Sequence, residues 1–268
     1  MFRSDNKGGY YVPDDTTILL FNSKGTLLNK IHWKSLDKDI TGVYDMVSDE
    51  NGLMCISYGK IFHVDLLGNS TLISTANFNG HIRITANHLL ITDYFTRDTS
   101  TTENNTYNGL AITDTSGNMV SYPIQYDYEN TNFEIAEDKI LLYGIDNYFY
   151  QLPLDTLQPI KRNKLELSEY DRAWFLGKID DQFIFKTHNY ITKIDHIFFF
   201  SADLKLIREA IVDLPTYGIN RVFFYIFENG FDFPSGIIYS YEPRQNAIFL
   251  LRNTYRGAVV YNLMDVIK

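Results

Sequence analysis

The chain has 268 residues, with 33 acidic side chains against 24 basic ones and a net charge of −9. No cluster of Lys and Arg stands out. A nucleic-acid binder needs a basic stripe to neutralise phosphates, so that partner class is excluded, and the field favours a basic protein surface or a metal ion instead.

Cys55 is the only cysteine, which rules out an intrachain disulfide and agrees with a reducing compartment. The start, MFRSDNKGGYYV, lacks the apolar centre of a secretory signal, and no apolar run is long enough to span a bilayer. The expectation is a soluble, cytoplasmic chain with no membrane partner, a secreted chain trimmed of its signal remaining open. With 45% hydrophobic residues a full core can be buried, and 20 Tyr and 19 Phe shift the prior from helix to sheet. The expected organisation is one all-β domain over residues 1–268.

Residues 10–33 read as a strand, a Pro-Asp-Asp break, the strand TILLF, the turn Asn22-Ser-Lys-Gly25 and the strand TLLNKIHW. Only three strands precede the linker SLDKDITG. The next copy places VYDMVSD before the stretch LMCISYGKIFHVDLLGNSTLISTA (53–76), whose period is two. Ile61, His63 and Asp65 alternate with Phe62, Val64 and Leu66, as in a sheet covered mainly on one side. Gly68 and Asn69 suit a tight hairpin. Three such strands bury too little alone, so the unit must stack on copies of itself.

A third copy begins at HIRITANH (81–88), continues with LLITDYF and resumes with GLAITDTSGNMVSYPIQ after a polar loop insertion at about 96–108. The fourth runs from NFEIAED to PIKRNKLEL (159–167), and the fifth from RAWFLGKIDD to HIFFFSADLKLIREAIVDL (196–214). The sixth, RVFFYIFENG to AVVYNLMDVI, is less regular. First strands start near Val43, Ile82, Asn132, Ala173 and Arg221, at intervals of 39, 50, 41 and 48 residues. Repeats of this length with four short antiparallel strands each are the signature of β-propeller blades, six by preference, with five or seven open.

With the phrase FNSKGTLLNKI and the recurring turns Asp65–Asn69, Asp114–Asn118 and Ser201–Lys205, the chain resembles six-bladed β-propellers of the NHL and TolB-like kind. The WD dipeptide that marks many seven-bladed propellers is absent. The resemblance implies a closed ring, with a C-terminal strand near Ala258 to Val266 completing the first blade.

Asp45, Asp93, Asp146 and Asp180 fall at or near the ends of inner strands in four different copies. In the hydrolases and lactonases that the resemblance brings in, such ends hold a divalent metal, and hard oxygen ligands suit Ca²⁺ or Mg²⁺. Asp also ends strands and starts turns with no metal at all. The six histidines form no compact ligand spacing, and no GxSxG, GxGxxG or P-loop occurs. Phe231 and Phe233, in ENGFDFPSG (228–236), read either as exposed binding anchors or as plugs beneath a loop.

The leading expectation is a non-enzymatic, protein-binding propeller scaffold whose partner has a basic surface, with a toxin-neutralising bacterial immunity protein as its specialisation. The alternatives are a metal-dependent hydrolase or lactonase using the four Asp residues, and a carbohydrate-binding module using the aromatics.

Overall fold

The computed structural model describes residues 2–4, 8–14, 17–32, 42–57, 59–75, 78–97, 106–126, 132–144, 147–155, 161–165, 167, 173–189, 191–192, 194–214, 222–223, 237–254 and 257–268. Its strands form six four-stranded antiparallel sheets. Sheet one holds β1 (Arg3–Ser4), β2 (Tyr10–Asp14), β3 (Thr17–Phe21) and β4 (Leu27–His32). Sheet two holds β5 (Asp45–Ser48), β6 (Gly52–Ser57), β7 (Lys60–Asp65) and β8 (Ser70–Thr75); sheet three holds β9 (Phe78–Ile84), β10 (Leu90–Arg97), β11 (Thr106–Thr113) and β12 (Met119–Tyr126). Sheet four is β13 (Asn132–Ala136), β14 (Lys139–Tyr143), β15 (Tyr148–Pro153) and β16 (Lys161–Lys164). Sheet five is β17 (Ala173–Ile179), β18 (Gln182–Asn189), β19 (Ile194–Phe200) and β20 (Leu206–Ile211), and sheet six is β21 (Val222–Phe223), β22 (Ile237–Glu242), β23 (Ala247–Thr254) and β24 (Gly257–Asn262). The chain divides into two compact units, one mainly of residues 3–129 and the other mainly of 130–268.

The hairpins are set by local chemistry. At Asp65 the carboxylate accepts the backbone N–H of Leu67 at 2.9 Å and of Asn69 at 2.8 Å, while Gly68 N–H donates to Asp65 O at 3.0 Å. The turn at Asp114 repeats these bonds with Ser116, Asn118 and Gly117. Both glycines take a left-handed φ of 87°. These bonds also hold both carboxylates below their ordinary pKa, the Asn69 and Asn118 side-chain amides being the largest cause in each case. The spacing from Asp to Asn therefore encodes the turn, and so the register of the strands beside it.

In the first unit, β6 is buried along its whole length. Leu53 and Cys55 pack with Ile18, Ile31 and Phe62 between sheets one and two, whereas Met54 and Ile56 pack with Ile82, Leu90 and Ala111 between sheets two and three. The expectation of a sheet covered mainly on one side is thereby corrected: both faces of sheet two meet a neighbour. In the second unit Phe149 packs against Phe175 and Phe183 at centroid distances of 5.1 and 4.8 Å, and Phe185 against Phe200 at 5.4 Å. Many of the abundant aromatics are thus spent between sheets four and five.

Three strand assignments also differ from the sequence reading. The first copy does have a first strand, since Arg3 and Ser4 pair with Tyr11 and Tyr10. Of the loop expected at about 96–108, residues 96–97 and 106–108 are strand instead, since Thr96 and Arg97 pair with Tyr107 and Thr106, while residues 98–105 fall outside the described residues. The C-terminal strand belongs to sheet six, not sheet one: β24 lies between β23 and β21, in the order β21-β24-β23-β22. Thr254 pairs with Gly257 only three positions on, so that pairing is local, which costs little loop entropy. Val222 and Phe223, read as the opening strand of the sixth copy, therefore form an edge, and β22 packs against β17. Beyond β24, Ile267 bridges to Val212 at the end of β20.

Candidate functional site

Asp45 opens β5 and is buried, 2% exposed. Its Oδ1 accepts from Arg3 Nη2 at 2.8 Å and from Met46 N–H at 2.9 Å. Its Oδ2 accepts from Arg83 Nη1 at 2.6 Å and from the Ile82 N–H at 3.2 Å. Burial pushes this carboxyl up, but the Arg3 and Arg83 guanidiniums, with His81 and the Ile82 N–H, hold it well below the carboxylate range. One of the four Asp residues read as metal ligands is therefore a clasp joining the first strands of sheets one, two and three. The cationic charge at this carboxylate comes from the chain itself.

Asp180 is exposed at the β17–β18 turn with φ 49°, and Asn246 Nδ2 donates to its Oδ1 at 2.6 Å. Asp93 lies in β10, its Cα opposite Leu110. Asp146, Phe231 and Phe233 fall outside the described residues. Among the described residues no group of three or more His, Cys, Asp or Glu side chains is placed to hold a metal ion.

A second polar cluster forms at one end of the apolar core between sheets five and six. Alternation along β18 puts Lys186 and His188 on the same face as Ile184, which lines that core. Cross-strand pairing sets Trp174 of β17 opposite Lys186, and Asp195 of β19 opposite His188. Tyr239 comes from β22. Asp195 is 6% exposed. His188 Nδ1 lies 2.6 Å from its Oδ1, and the Tyr239 hydroxyl donates to its Oδ2 at 2.5 Å. The Lys186 ammonium stands 4.7 Å from the Trp174 ring centroid, 4.9 Å from that of Tyr239 and 3.8 Å from Asp195 Oδ2.

The cluster has electrostatic consequences. Burial pushes the Tyr239 phenol far above its ordinary pKa, and the adjacent Asp195 carboxylate pushes it further. Burial lowers the Lys186 pKa, with Asp195 pulling the other way. A cation between two ring faces, beside a carboxylate, a phenol and an imidazole, can donate hydrogen bonds, hold an anionic group or act as an amine nucleophile. The sequence reading missed all five residues. The only signal was local: Lys186-x-His188 at period two, with Asp195 seven residues after His188 across a hairpin.

No family model and no curated protein matches this sequence. Solved structures do match its shape. The WD40 β-propeller domain of Doa1 matches with a TM-score of 0.59 at 10% identity, over 97% of this chain and 90% of that one. The Pan2 WD40 domain of Neurospora crassa gives 0.58 at 9% identity, over 98% and 88%. The fold is a β-propeller. A luciferin-regenerating enzyme also matches, with a TM-score of 0.56 at 11% identity over 97% of this chain and 88% of that one. Fold likeness thus spans WD40 domains and an enzyme, and function rests on sites. The missing WD dipeptide does not separate this backbone from WD40 domains.

Proposed function

We propose that this β-propeller is a protein-binding scaffold. The observation that carries the reading is the outer strand of sheet five. In β20, Leu206, Ile207 and Ile211 are 55%, 50% and 37% exposed, three aliphatic side chains on the outer strand of the sheet, whose backbone pairs with Lys268 at Ile211. Exposed apolar edges are usually blunted or covered, and a retained one marks an interaction surface. Arg208 lies over Phe199 at 4.0 Å and His196 Nδ1 lies 2.6 Å from Glu209 Oε1, so polar side chains border these three as at an interface rim.

The excess of acidic residues supports a partner with a basic surface, and within that class a toxin-neutralising immunity protein is the specialisation we favour. Six sheets of four strands fit the six-bladed NHL and TolB-like kind. The hydrolase reading has weaker support, because Asp45 is occupied by two arginines. The sugar-binding reading is weakened by rings packed in the core.

Cross-linking of the purified, tagged chain in lysate of its native host, read by mass spectrometry, tests the reading. One stoichiometric protein cross-linked near β20, with Ile207→Asp weakening its binding about tenfold or more, is the expected result. Repeated trials that capture no protein, or a partner indifferent to Ile207→Asp and Leu206→Asp, overturn it.

A further inference from the structure

Lys186 stands apart from the other polar members of the cluster between sheets five and six. Tyr239 and His188 each share a short hydrogen bond with Asp195, whereas the Lys186 amine meets that carboxylate as a longer ion pair at 3.8 Å. Its side chain is 15% exposed. The amine thus lies over two ring faces, on a side chain that is largely but not wholly buried, with Asp195, Tyr239 and His188 hydrogen-bonded to one another beside it.

We propose that Lys186 is a reactive amine that captures small aldehydes as a protonated imine. This goes beyond the protein-binding reading and does not depend on it. The rings of Trp174 and Tyr239 replace water around the nitrogen, and desolvation is the usual means of activating a lysine nucleophile. Burial lowers its pKa against the pull of Asp195, in keeping with this role. Among the described residues, the Asp195 carboxylate and the Tyr239 ring lie beside the amine, and His188 and the Tyr239 hydroxyl are hydrogen-bonded to that carboxylate.

The chemistry balances without an oxidant. The ammonium gives one proton to the Asp195 group, and the nitrogen lone pair attacks the carbonyl carbon as the C=O π electrons move to oxygen. That oxygen takes back the first proton from the Asp195 group, and the nitrogen, now positively charged, gives up a second proton to leave a neutral carbinolamine. The hydroxyl takes that second proton and departs as water as the nitrogen lone pair forms the C=N bond. The net change is ammonium plus aldehyde to iminium plus water. The hydrogen-bonded Asp195, Tyr239 and His188 hold the protons in transit.

Propanal with sodium cyanoborohydride, which reduces the iminium to a stable secondary amine, tests the proposal on the intact chain. Peptide mass mapping then reads each lysine separately. At pH 7 Lys186 should be labelled about fivefold or more faster than the exposed Lys24 and Lys164. The advantage should vanish in unfolded chain, and should shrink above a pH of about 10.4, where ordinary lysines lose their protons. Labelling of Lys186 no faster than that of Lys24 and Lys164 overturns the proposal. So does a preference that survives unfolding, because local sequence would then be its cause.

Discussion

The ring of Tyr241 in β22 occupies the space that a side chain at Gly177 in β17 would need. A Cβ at Gly177 would come within 2.4 Å of Tyr241 Cγ, and the backbone there has φ 144° at an irregularity in the pairing of β17 with β18. Glycine allows sheets five and six to approach. Gly177→Ala should therefore destabilise the second unit by about 2 kcal/mol or more, through overlap and backbone strain together. Urea unfolding reads the cost. In Gly177→Ala/Tyr241→Ala the two losses should add to less than their sum, because removing the ring relieves the overlap.

The hairpin glycines should rank by what lies behind them. At Gly117 a Cβ would fall 2.1 Å from Ile73 O, and at Gly68 one would fall 2.8 Å from His32 O. Both have φ 87°, so the backbone strain is the same and the neighbour decides. Gly117→Ala should cost more than Gly68→Ala, by about 1 kcal/mol. Equal urea midpoints for the two variants would show that Ile73 yields without cost.

These turns show which parts of the structure could be read from sequence. Asp114 and Gly117 meet within one four-residue step, so turn, register and repeat were all visible in the chain order. The order of sheet six was not, because β24 folds back locally on β23 and leaves Val222–Phe223 at the edge. A strand-end position for Asp45 was legible, but its partners Arg3 and Arg83 lie 42 and 38 residues away in other sheets. Likewise His188 and Asp195 share a hairpin, while Tyr239 is 44 residues from Asp195 and comes from the next sheet. Alternation along a strand tells which face a residue takes, and says nothing of which neighbouring sheet brings the counter-charge.

Asp45 gives the first unit an acid-sensitive clasp. Its carboxyl is held below its ordinary value in the folded chain, so the unfolded chain takes up a proton first as the pH falls. The stability this residue contributes is complete above the ordinary carboxylate pKa of about 3.9 and is lost progressively as pH falls below it. Asp45→Asn leaves two guanidiniums facing a neutral group in a buried site, and should cost about 3 kcal/mol at neutral pH. The variant should also show a shallower loss of stability with acid than the parent. Parallel slopes in urea titrations at descending pH would count against the clasp.

A part-buried hydrogen bond from the Tyr239 hydroxyl to Asp195 helps to hold sheet five to sheet six, and the two residues should be energetically coupled. Tyr239→Phe keeps the ring over Lys186 and removes only the donor, leaving one carboxylate oxygen without it; the expected cost is about 1–2 kcal/mol. In Asp195→Asn/Tyr239→Phe part of that loss should disappear, because the phenyl ring no longer faces a charge that needs the hydroxyl. The alkaline side gives an independent check. Since the phenol pKa is raised in the folded state, its contribution is present below the ordinary tyrosine value of about 10 and is lost as pH rises past it, where only the unfolded chain ionises. Tyr239→Phe lacks that linkage, so its stability should fall less steeply than the parent's above that pH. If parent and variant decline alike, the phenol titrates in the fold as it does in water, and the latch assigned to Asp195 and Tyr239 is not formed.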